Sequence, residues 1–464
     1  MSLYTEDSSG NNGPSIAKVE PPPGPAADRS HSIYPPGATN ANWFTLFNSL
    51  SWRITLESPT VLYAKTLGAP NTILGIITAL TPFLSIFQLS ATKYLPKYGY
   101  RRFILAGWGS RTLFIFGIAA IPLLTPFSTT TKLALLLFCL FAFNLVRGIA
   151  SGAWFPWISE LIPEAVRGRF LSRDQIFNQV GSIVSLAIAA TTLRGHARPW
   201  QFSLVFLISA LAATVSLLFL KRTPDVTAPD KLKRSGHRVP WGHMIAYPPF
   251  LRLIVFNVLY VLVTAGITAY SVAFLKDVAN YSEGSILWLS LFQFLGALPT
   301  VTLVGRLCDA GGSKPILIAT LLAFMLIFGA WFAMAAHAIP SSLLLIGGIQ
   351  LLTGIANINF QIANNRLIMG TVPLMGRNHF FALFTVITSF AAGLTPILWG
   401  VILDAIAHHE TLLCTLSFNR YSIYFIVSLF CAAVAAIYVP LLDDKTAPAS
   451  LPNHPRQFAT APET

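Results

Sequence analysis

The sequence has 464 residues, of which 54% are hydrophobic and 11% charged, and its formal net charge is +13. Because a soluble domain has about 25% charged residues, this composition excludes an ordinary water-soluble protein. Apolar stretches of about 20 residues recur from Trp43 almost to Asp443, each long enough to cross a hydrocarbon layer of about 30 Å. We therefore predict an all-α integral membrane protein.

The chain begins with a polar segment, residues 1–42, which is rich in Pro, Ser and Asn and lacks the apolar region of a signal peptide. We predict a disordered cytoplasmic tail there. Residues 43–220 are predicted to form an N-terminal six-helix bundle, with spans near 43–64, 70–92, 103–124, 132–157, 172–194 and 200–220.

A basic, Pro-containing segment, residues 221–248, is predicted to be a central cytoplasmic loop. Residues 249–442 are predicted to form a C-terminal six-helix bundle, with spans near 250–274, 284–304, 315–337, 341–366, 380–404 and 421–441. Residues 443–464 complete the chain as a second cytoplasmic tail. The sequence thus predicts twelve transmembrane helices in two bundles.

The positive charges are distributed unevenly between the predicted loops. With the N-terminus in the cytoplasm, cytoplasmic loops and tails hold 22 of the 31 Lys and Arg residues, whereas outer loops hold 6. This excess satisfies the positive-inside rule and predicts a multi-pass cell-membrane protein with both termini in the cytoplasm. The net charge therefore reflects topology and gives no reason to expect nucleic-acid binding.

An internal repeat relates the two predicted bundles. Pro163, Arg167, Arg169 and Phe170 recur 210 positions later. The later copies are Pro373, Arg377, His379 and Phe380. Gly99 likewise matches Gly312 at an offset of 213. A repeat at nearly half the chain length indicates two homologous halves.

Two short loops carry a recognisable motif. The first has Lys97, Gly99, Arg101 and Arg102, and the second has Gly305, Asp309, Gly312 and Lys314. These loops resemble the signature loops of the major facilitator superfamily, in which Gly-x-x-x-Asp-Arg/Lys-x-Gly-x-Arg/Lys-Arg/Lys joins helices 2 and 3. The first copy departs from that pattern, because Thr92 replaces the Gly and Pro96 the Asp. The segment from Pro163 to Phe170 and the pair Gly400 and Asp404 are also similar to that superfamily.

The resemblance covers residues 43 to 442 and implies the major facilitator fold. It implies a solute site near the membrane midplane between two halves, which work by alternating access. It also implies that helices 1, 4, 7 and 10 line the central cavity and that helices 3, 6, 9 and 12 face lipid. The substrate does not follow from it.

The predicted lining helices carry stripes of polar residues, since positions i, i+3 and i+4 share a helix face. From these stripes we predict the following substrate-binding residues: Arg53, Arg147, Asn257, Tyr260, Asn357 and Gln361. A structural alternative stays open, because polar side chains in membrane helices also join helices to one another. Arg111, in the third span, has no role that the sequence explains.

Charged groups within the spans are costly to bury and are therefore paired or functional. Glu57 is the only acidic residue predicted deep inside a span; Arg53 precedes it by one turn, and Arg147 is expected nearby. These three charges sum to a positive value, which favours an anionic or hydrogen-bond-rich solute. We predict that Glu57 is the proton-coupling residue, with a structural ion pair as the alternative.

Four residues are predicted to gate the site from the cytoplasmic side: Arg101, Asp309, Arg169 and Arg173. In the superfamily, the acidic residue of the signature loop lies near a helix start, where the helix dipole favours an anion. Asp309 keeps this position, so we expect it to engage Arg169 or Arg173 when the gate is closed.

These patterns predict a monomeric secondary active transporter of a small polar solute, with an organic anion or a sugar derivative as candidates and a proton symporter as the expected mechanism. The alternatives are a transporter-like membrane sensor and a multidrug exporter. An enzyme is not expected, because the spans contain no nucleophile–base set. No cofactor or metal is predicted, and we interpret His408, His409 and Glu410 as a solvated turn.

Overall fold

The structure is a computed structural model that describes residues 35–88, 97–195, 197–226, 244–372, 377–407, 411–413 and 416–443. The helices of its first half are α1 (Thr39–Leu56), α2 (Ser58–Thr66), α3 (Asn71–Ser85), α4 (Tyr100–Ala120), α5 (Thr129–Ser151), α6 (Trp154–Leu161), α7 (Glu164–Thr192) and α8 (Pro199–Arg222). A short 3₁₀ turn, Ile121–Leu123, follows α4.

The second half has α9 (Pro248–Thr264), α10 (Ile267–Asp277), α11 (Glu283–Gly311), α12 (Lys314–Ala335), α13 (Leu343–Thr371), α14 (Arg377–Ala405) and α15 (Arg420–Tyr438). A 3₁₀ turn, Val439–Leu441, ends it. Between α14 and α15, strands β1 (Thr411–Leu413) and β2 (Leu416–Phe418) pair in an antiparallel hairpin that the sequence analysis did not predict.

Most of the helices are long and apolar. In the described parts of the chain, eight segments are long and apolar enough to cross a membrane: α4, α5 with α6, α8, α9 with α10, α12, α13, α14 and α15. The four other predicted spans also fall on helices, namely α1 with α2, α3, α7 and α11. The protein therefore has the predicted all-α membrane fold, and twelve spans are consistent with it.

Three predicted spans are interrupted instead of forming single helices. The first breaks at Glu57, whose backbone has φ −118° and ψ −146°, and α2 starts with Pro59 in its first turn. Proline lacks the N–H that would continue the helix and clashes with the preceding turn. The fourth breaks at Gly152 and Ala153, between α5 and α6. The seventh breaks at Ala265 and Gly266, between α9 and α10. Ser58 and Thr268, which lie next to the breaks in the first and seventh spans, line the smaller cavity described below.

The helices of the two halves make equivalent contacts. In the first half, α1 packs on α7 and α8, and α4 packs on α5 and α8. In the second half, α9 packs on α14 and α15, and α12 packs on α13 and α15. The halves meet where α3 contacts α14 and where α7 contacts α11. The sequence repeat is therefore also a repeat of helix packing, in two bundles.

Glycines occur at two equivalent links and at both main contacts between the halves. Gly99 and Gly312 both have left-handed backbones, with φ of 74° and 81°, and each lies in the link before α4 or α12. Gly75 of α3 lies so close to α14 that a Cβ would meet the Pro396 carbonyl. Gly284 of α11 would place a Cβ 2.9 Å from the Ala190 carbonyl of α7. Both half-to-half contacts thus depend on glycine.

Candidate solute-binding site

A cavity of about 400 Å³ lies between the two halves, beside Arg53 of α1. Six amide side chains line it: Gln179 of α7, Gln293 of α11, and Asn357, Gln361, Asn364 and Asn365 of α13. Because α13 contributes four of them, one helix provides a polar stripe of hydrogen-bond donors and acceptors. Phe294 and Phe360 add aromatic surface to the same cavity. Three of the predicted substrate-binding residues, Arg53, Asn357 and Gln361, are therefore brought together here.

Arg53 is held in place by contacts to three elements. It forms an ion pair with Glu57 one turn further along the chain. Its Nε donates a hydrogen bond to Ser182 Oγ of α7 at 2.9 Å. Its guanidinium also lies over the ring of Phe294 in α11, 4.5 Å from the ring centre. Since Phe294 belongs to the other half, Arg53 links the two halves at the cavity wall.

Glu57 lies beyond Arg53, at the break between α1 and α2. It lines a second, enclosed cavity of about 40 Å³ together with Thr268, Ser271 and Ser290 of the second half. A polar space of this size can hold water molecules, each of which needs about 10–15 Å³. Arg53, Gln293 and Phe294 border both cavities, so the ion pair lies where the larger cavity adjoins the smaller one.

Asn257 and Tyr260 of α9 line neither cavity. Asn257 is buried and exchanges two hydrogen bonds with Asn364 of α13, at 3.1 and 2.8 Å. Tyr260 stacks on Phe360, and its hydroxyl donates to Asn357 Oδ1 at 3.4 Å. Both residues contact cavity-lining side chains of α13 without reaching the cavity themselves. They therefore hold the polar stripe in position.

Arg147 of α5 lies away from the Arg53–Glu57 pair. Its guanidinium lies over the ring of Trp52, 3.8 Å from the ring centre, and it forms no ion pair with any described residue. The expectation that two arginines flank Glu57 is therefore not met in this structure, where Arg53 is the cation beside it.

One end of the molecule is closed by contacts between the halves, which we call the latch: Lys65, Asn71, Thr72, Asp277, Asp404 and Tyr421. Asp404, at the end of α14, caps the first turn of α3. Its carboxylate accepts from Asn71 N at 2.9 Å, Asn71 Nδ2 at 3.0 Å, Thr72 N at 2.7 Å and Thr72 Oγ1 at 2.7 Å. An anion is favoured there because the helix start presents unpaired N–H groups and a positive dipole end.

The second part of the latch surrounds Asp277 at the end of α10. Lys65 of α2 forms an ion pair with Asp277 at 2.6 Å, and the Tyr421 hydroxyl donates to the same carboxylate at 2.6 Å. Lys65 belongs to the first half and Asp277 to the second. The latch therefore consists of two charged clusters that both cross between the halves.

The large cavity extends away from the latch. Helix α13 starts near the latch end, where Tyr281 between α10 and α11 donates to the Ser341 carbonyl at 2.6 Å. Asn364 and Asn365 lie in the last third of α13, remote from that end. The order from the latch is thus the small cavity, the Arg53–Glu57 pair and the large cavity.

The predicted gating residues lie at the end opposite the latch. Arg101 of α4 pairs with Asp225 at 3.6 Å, within the first half and in an exposed position. The Arg173 guanidinium lies 5.5 Å from the ring centre of Phe177. The side chains of Asp309 and Arg169 lie outside the described residues, so the proposed pairing of Asp309 stays a prediction.

Several residues of the site were missed by the sequence analysis. Gln179 and Gln293 lie on helices that the superfamily pattern does not assign to the cavity. Asp174 of α7 is a further partly buried acid, and it accepts from Thr45 Oγ1 at 2.6 Å and Asn42 Nδ2 at 3.3 Å. Asp174 lines neither cavity, and in the sequence its neighbour Arg173 offered an apparent partner that drew attention away from Thr45 and Asn42.

The sequence profile of the Major Facilitator Superfamily matches residues 42–298, which is more than half of the chain. The protein belongs to this superfamily. No curated protein matches the sequence.

Solved structures of transporters are similar to this fold over nearly their whole length. A variant of the nucleoside transporter NupG superimposes with a TM-score of 0.67 at 12% identity, covering 87% of this chain and 99% of the other. A D-xylose–proton symporter gives 0.67 at 14% identity, covering 88% and 97%. A bacterial homologue of the iron transporter ferroportin gives 0.64 at 15% identity, covering 87% and 98%. At such identities the likeness shows the fold alone.

Proposed function

We propose that the protein is a proton-coupled secondary transporter of a small, uncharged, hydroxyl-rich solute such as a sugar derivative. The observation that carries this proposal is the cavity between the halves, with its six amides, its aromatic surface and its internally neutralised arginine. Amide groups donate and accept hydrogen bonds, which suits hydroxyl groups. Because Glu57 already neutralises Arg53, the described residues of the cavity wall offer no free cation to an organic anion.

The proposed mechanism is alternating access. The latch closes one end by contacts between the halves, while the large cavity extends toward the other end. With the orientation predicted from the positive-inside rule, the latch faces outward and the cavity faces the cytoplasm. Breaking the latch and closing the opposite end would expose the same amides to the outside.

The proposed coupling step uses the Arg53–Glu57 pair. Arg53 borders the solute cavity, so a bound solute competes with Glu57 for its N–H groups. When Arg53 turns to the solute, Glu57 loses the counterion that favours its charged form and takes up a proton. When the solute leaves, the ion pair forms again and the proton is released. Solute and proton are thereby bound together.

The binding step is tested by a screen of the purified protein for stabilisation by sugars, nucleosides and small acids. A ligand that binds only the folded state raises the melting temperature Tm by mass action. We expect a hydroxyl-rich neutral solute to raise Tm in the wild type but much less in Asn357→Ala and Gln361→Ala. Asn40→Ala is the matched control, because Asn40 donates to the Arg222 carbonyl outside the cavity. Stabilisation by acids alone would refute the proposed solute class.

A solute that raises Tm in this screen is then tested for transport by the protein in proteoliposomes. Uptake of the solute, driven by a proton gradient, is the expected result. Binding without any transport would instead favour the sensor alternative, in which the same cavity detects a solute and moves nothing.

A further inference from the structure

Two arginines inside the first half have no acidic partner. Arg111 of α4 is 4% exposed, donates to Asn48 of α1 and lies over the rings of Trp108 and Phe143, 4.8 and 5.6 Å from their centres. Arg147 of α5 lies over Trp52 of α1. In the described part of the chain neither guanidinium forms an ion pair.

The two arginines contact adjacent turns of α1 and lie in the same part of the first half. Asn48 and Trp52, which contact Arg111 and Arg147 respectively, are one turn apart on α1 and therefore share a face. Arg147 likewise follows Phe143, a neighbour of Arg111, by one turn of α5. The charge of Arg147 is close enough to act on Arg111. Two like charges thus lie together within a bundle that spans the membrane, where even one is costly.

Three donor atoms of this cluster have no acceptor. Arg111 Nε, Arg147 Nη1 and Trp108 Nε1 are buried and lack a hydrogen-bond partner among the described residues. Guanidinium and indole groups only donate, so they cannot satisfy one another. A water molecule could accept from them but would leave both positive charges uncompensated. A bound anion would satisfy the donors and compensate the charge as well.

Aromatic rings, which carry no negative charge, lie beside both guanidiniums. The central carbon of Arg147 is 3.8 Å from the ring centre of Trp52, and that of Arg111 is 4.8 and 5.6 Å from those of Trp108 and Phe143. The edges, which carry the N–H groups, are the part of a guanidinium that binds anions. Arg53 shows the contrast within the same chain, because its own carboxylate, Glu57, lies one turn away.

We propose that Arg111 and Arg147 form a binding site for a small anion, distinct from the solute cavity. Its ligand chemistry is that of a halide or a small oxyanion such as phosphate. This inference does not depend on the proposed transport of a neutral solute, since the anion site lies within the first half and can be measured with no solute present.

The test compares Tm of the purified, solute-free protein in sodium bromide with Tm in sodium HEPES, whose anion is bulky, at equal ionic strength. We expect bromide to raise Tm of the wild type by about 2–4 °C. Arg147→Gln and Arg111→Gln should lose this shift. Arg53→Gln is the matched control and should keep it, because Arg53 is already neutralised. Should Arg111→Gln fail to fold, Arg147→Gln decides the test.

Two further measurements locate the bound anion and show whether it is a halide or an oxyanion. A crystal grown in bromide should give an anomalous peak between Arg111 and Arg147 in the wild type and none in Arg147→Gln. Sodium phosphate in place of bromide tests whether an oxyanion produces the same shift. The proposal is overturned if wild type and Arg147→Gln respond equally to both anions, or if no peak lies at the two arginines.

Discussion

Asp404→Asn is the change that tests the latch most sharply. The carboxylate accepts four hydrogen bonds from the start of α3. An Asn side chain keeps one oxygen acceptor but turns an NH₂ donor toward the other pair, so two of these bonds are lost. A hydrogen bond to a charged group contributes about 1.5–3 kcal/mol, and two at the lower value amount to about 3 kcal/mol. Each 1.4 kcal/mol changes an equilibrium constant tenfold. The ratio of proteins with an open latch to proteins with a closed latch should therefore rise on the order of 100-fold.

The measurement is the distance between spin labels on Thr66 and Ala405, two exposed positions at the latch end that belong to different halves. The four native cysteines are first replaced. In Asp404→Asn we expect a second population at a longer distance. Asp443→Asn is the control, because Asp443 pairs with Arg252 inside the second half, at 3.1 Å in an exposed position. An unchanged distance distribution in a folded Asp404→Asn protein would refute the role of the cap.

Glu57→Gln, which resembles the protonated acid, should abolish accumulation driven by a proton gradient and preserve counterflow; normal accumulation would contradict the coupling role. Gly75→Ala should destabilise the protein by about 1–3 kcal/mol because its methyl group would meet the Pro396 carbonyl, whereas Gly109→Ala, with open space around it, should not lower Tm. Asn257→Leu should lower the free energy of unfolding by about 1–3 kcal/mol, and with it Tm, because Asn364 is left unpaired. The double variant Asn257→Leu with Asn364→Leu should recover part of the lost Tm.

Local and repeated features of the fold could be predicted from the sequence. The apolar stretches predicted the helices, and the matched positions Gly99 and Gly312 have the same left-handed backbone at equivalent links. The spacing of Arg53 and Glu57 predicted their ion pair, because residues four apart are neighbours on a helix surface. The break at Glu57 was missed, although Pro59 was a signal for it.

The latch and the second pair of arginines could not be predicted in this way. Asp404 and Asn71 are 333 positions apart, and no periodic pattern connects a helix end to a helix start at that distance. Arg111 had no explanation until the structure placed it beside Asn48 and near Arg147. Asn257 and Tyr260 carried the same polar signal as Asn357, but only the arrangement of α9 behind α13 separates supporting residues from lining ones.

In the proposed mechanism, solute crosses the membrane because the latch opens and closes around the cavity. Cysteines at Thr72 and Asp404, whose side chains are hydrogen-bonded at 2.7 Å, can be cross-linked by oxidation in protein without its native cysteines. The measurement is solute counterflow in proteoliposomes before oxidation, after oxidation and after reduction, with each single cysteine variant as control. We predict that the cross-link stops counterflow while solute binding to the detergent-solubilised protein persists, and that reduction restores it. Undiminished counterflow through a fully cross-linked protein would contradict the account.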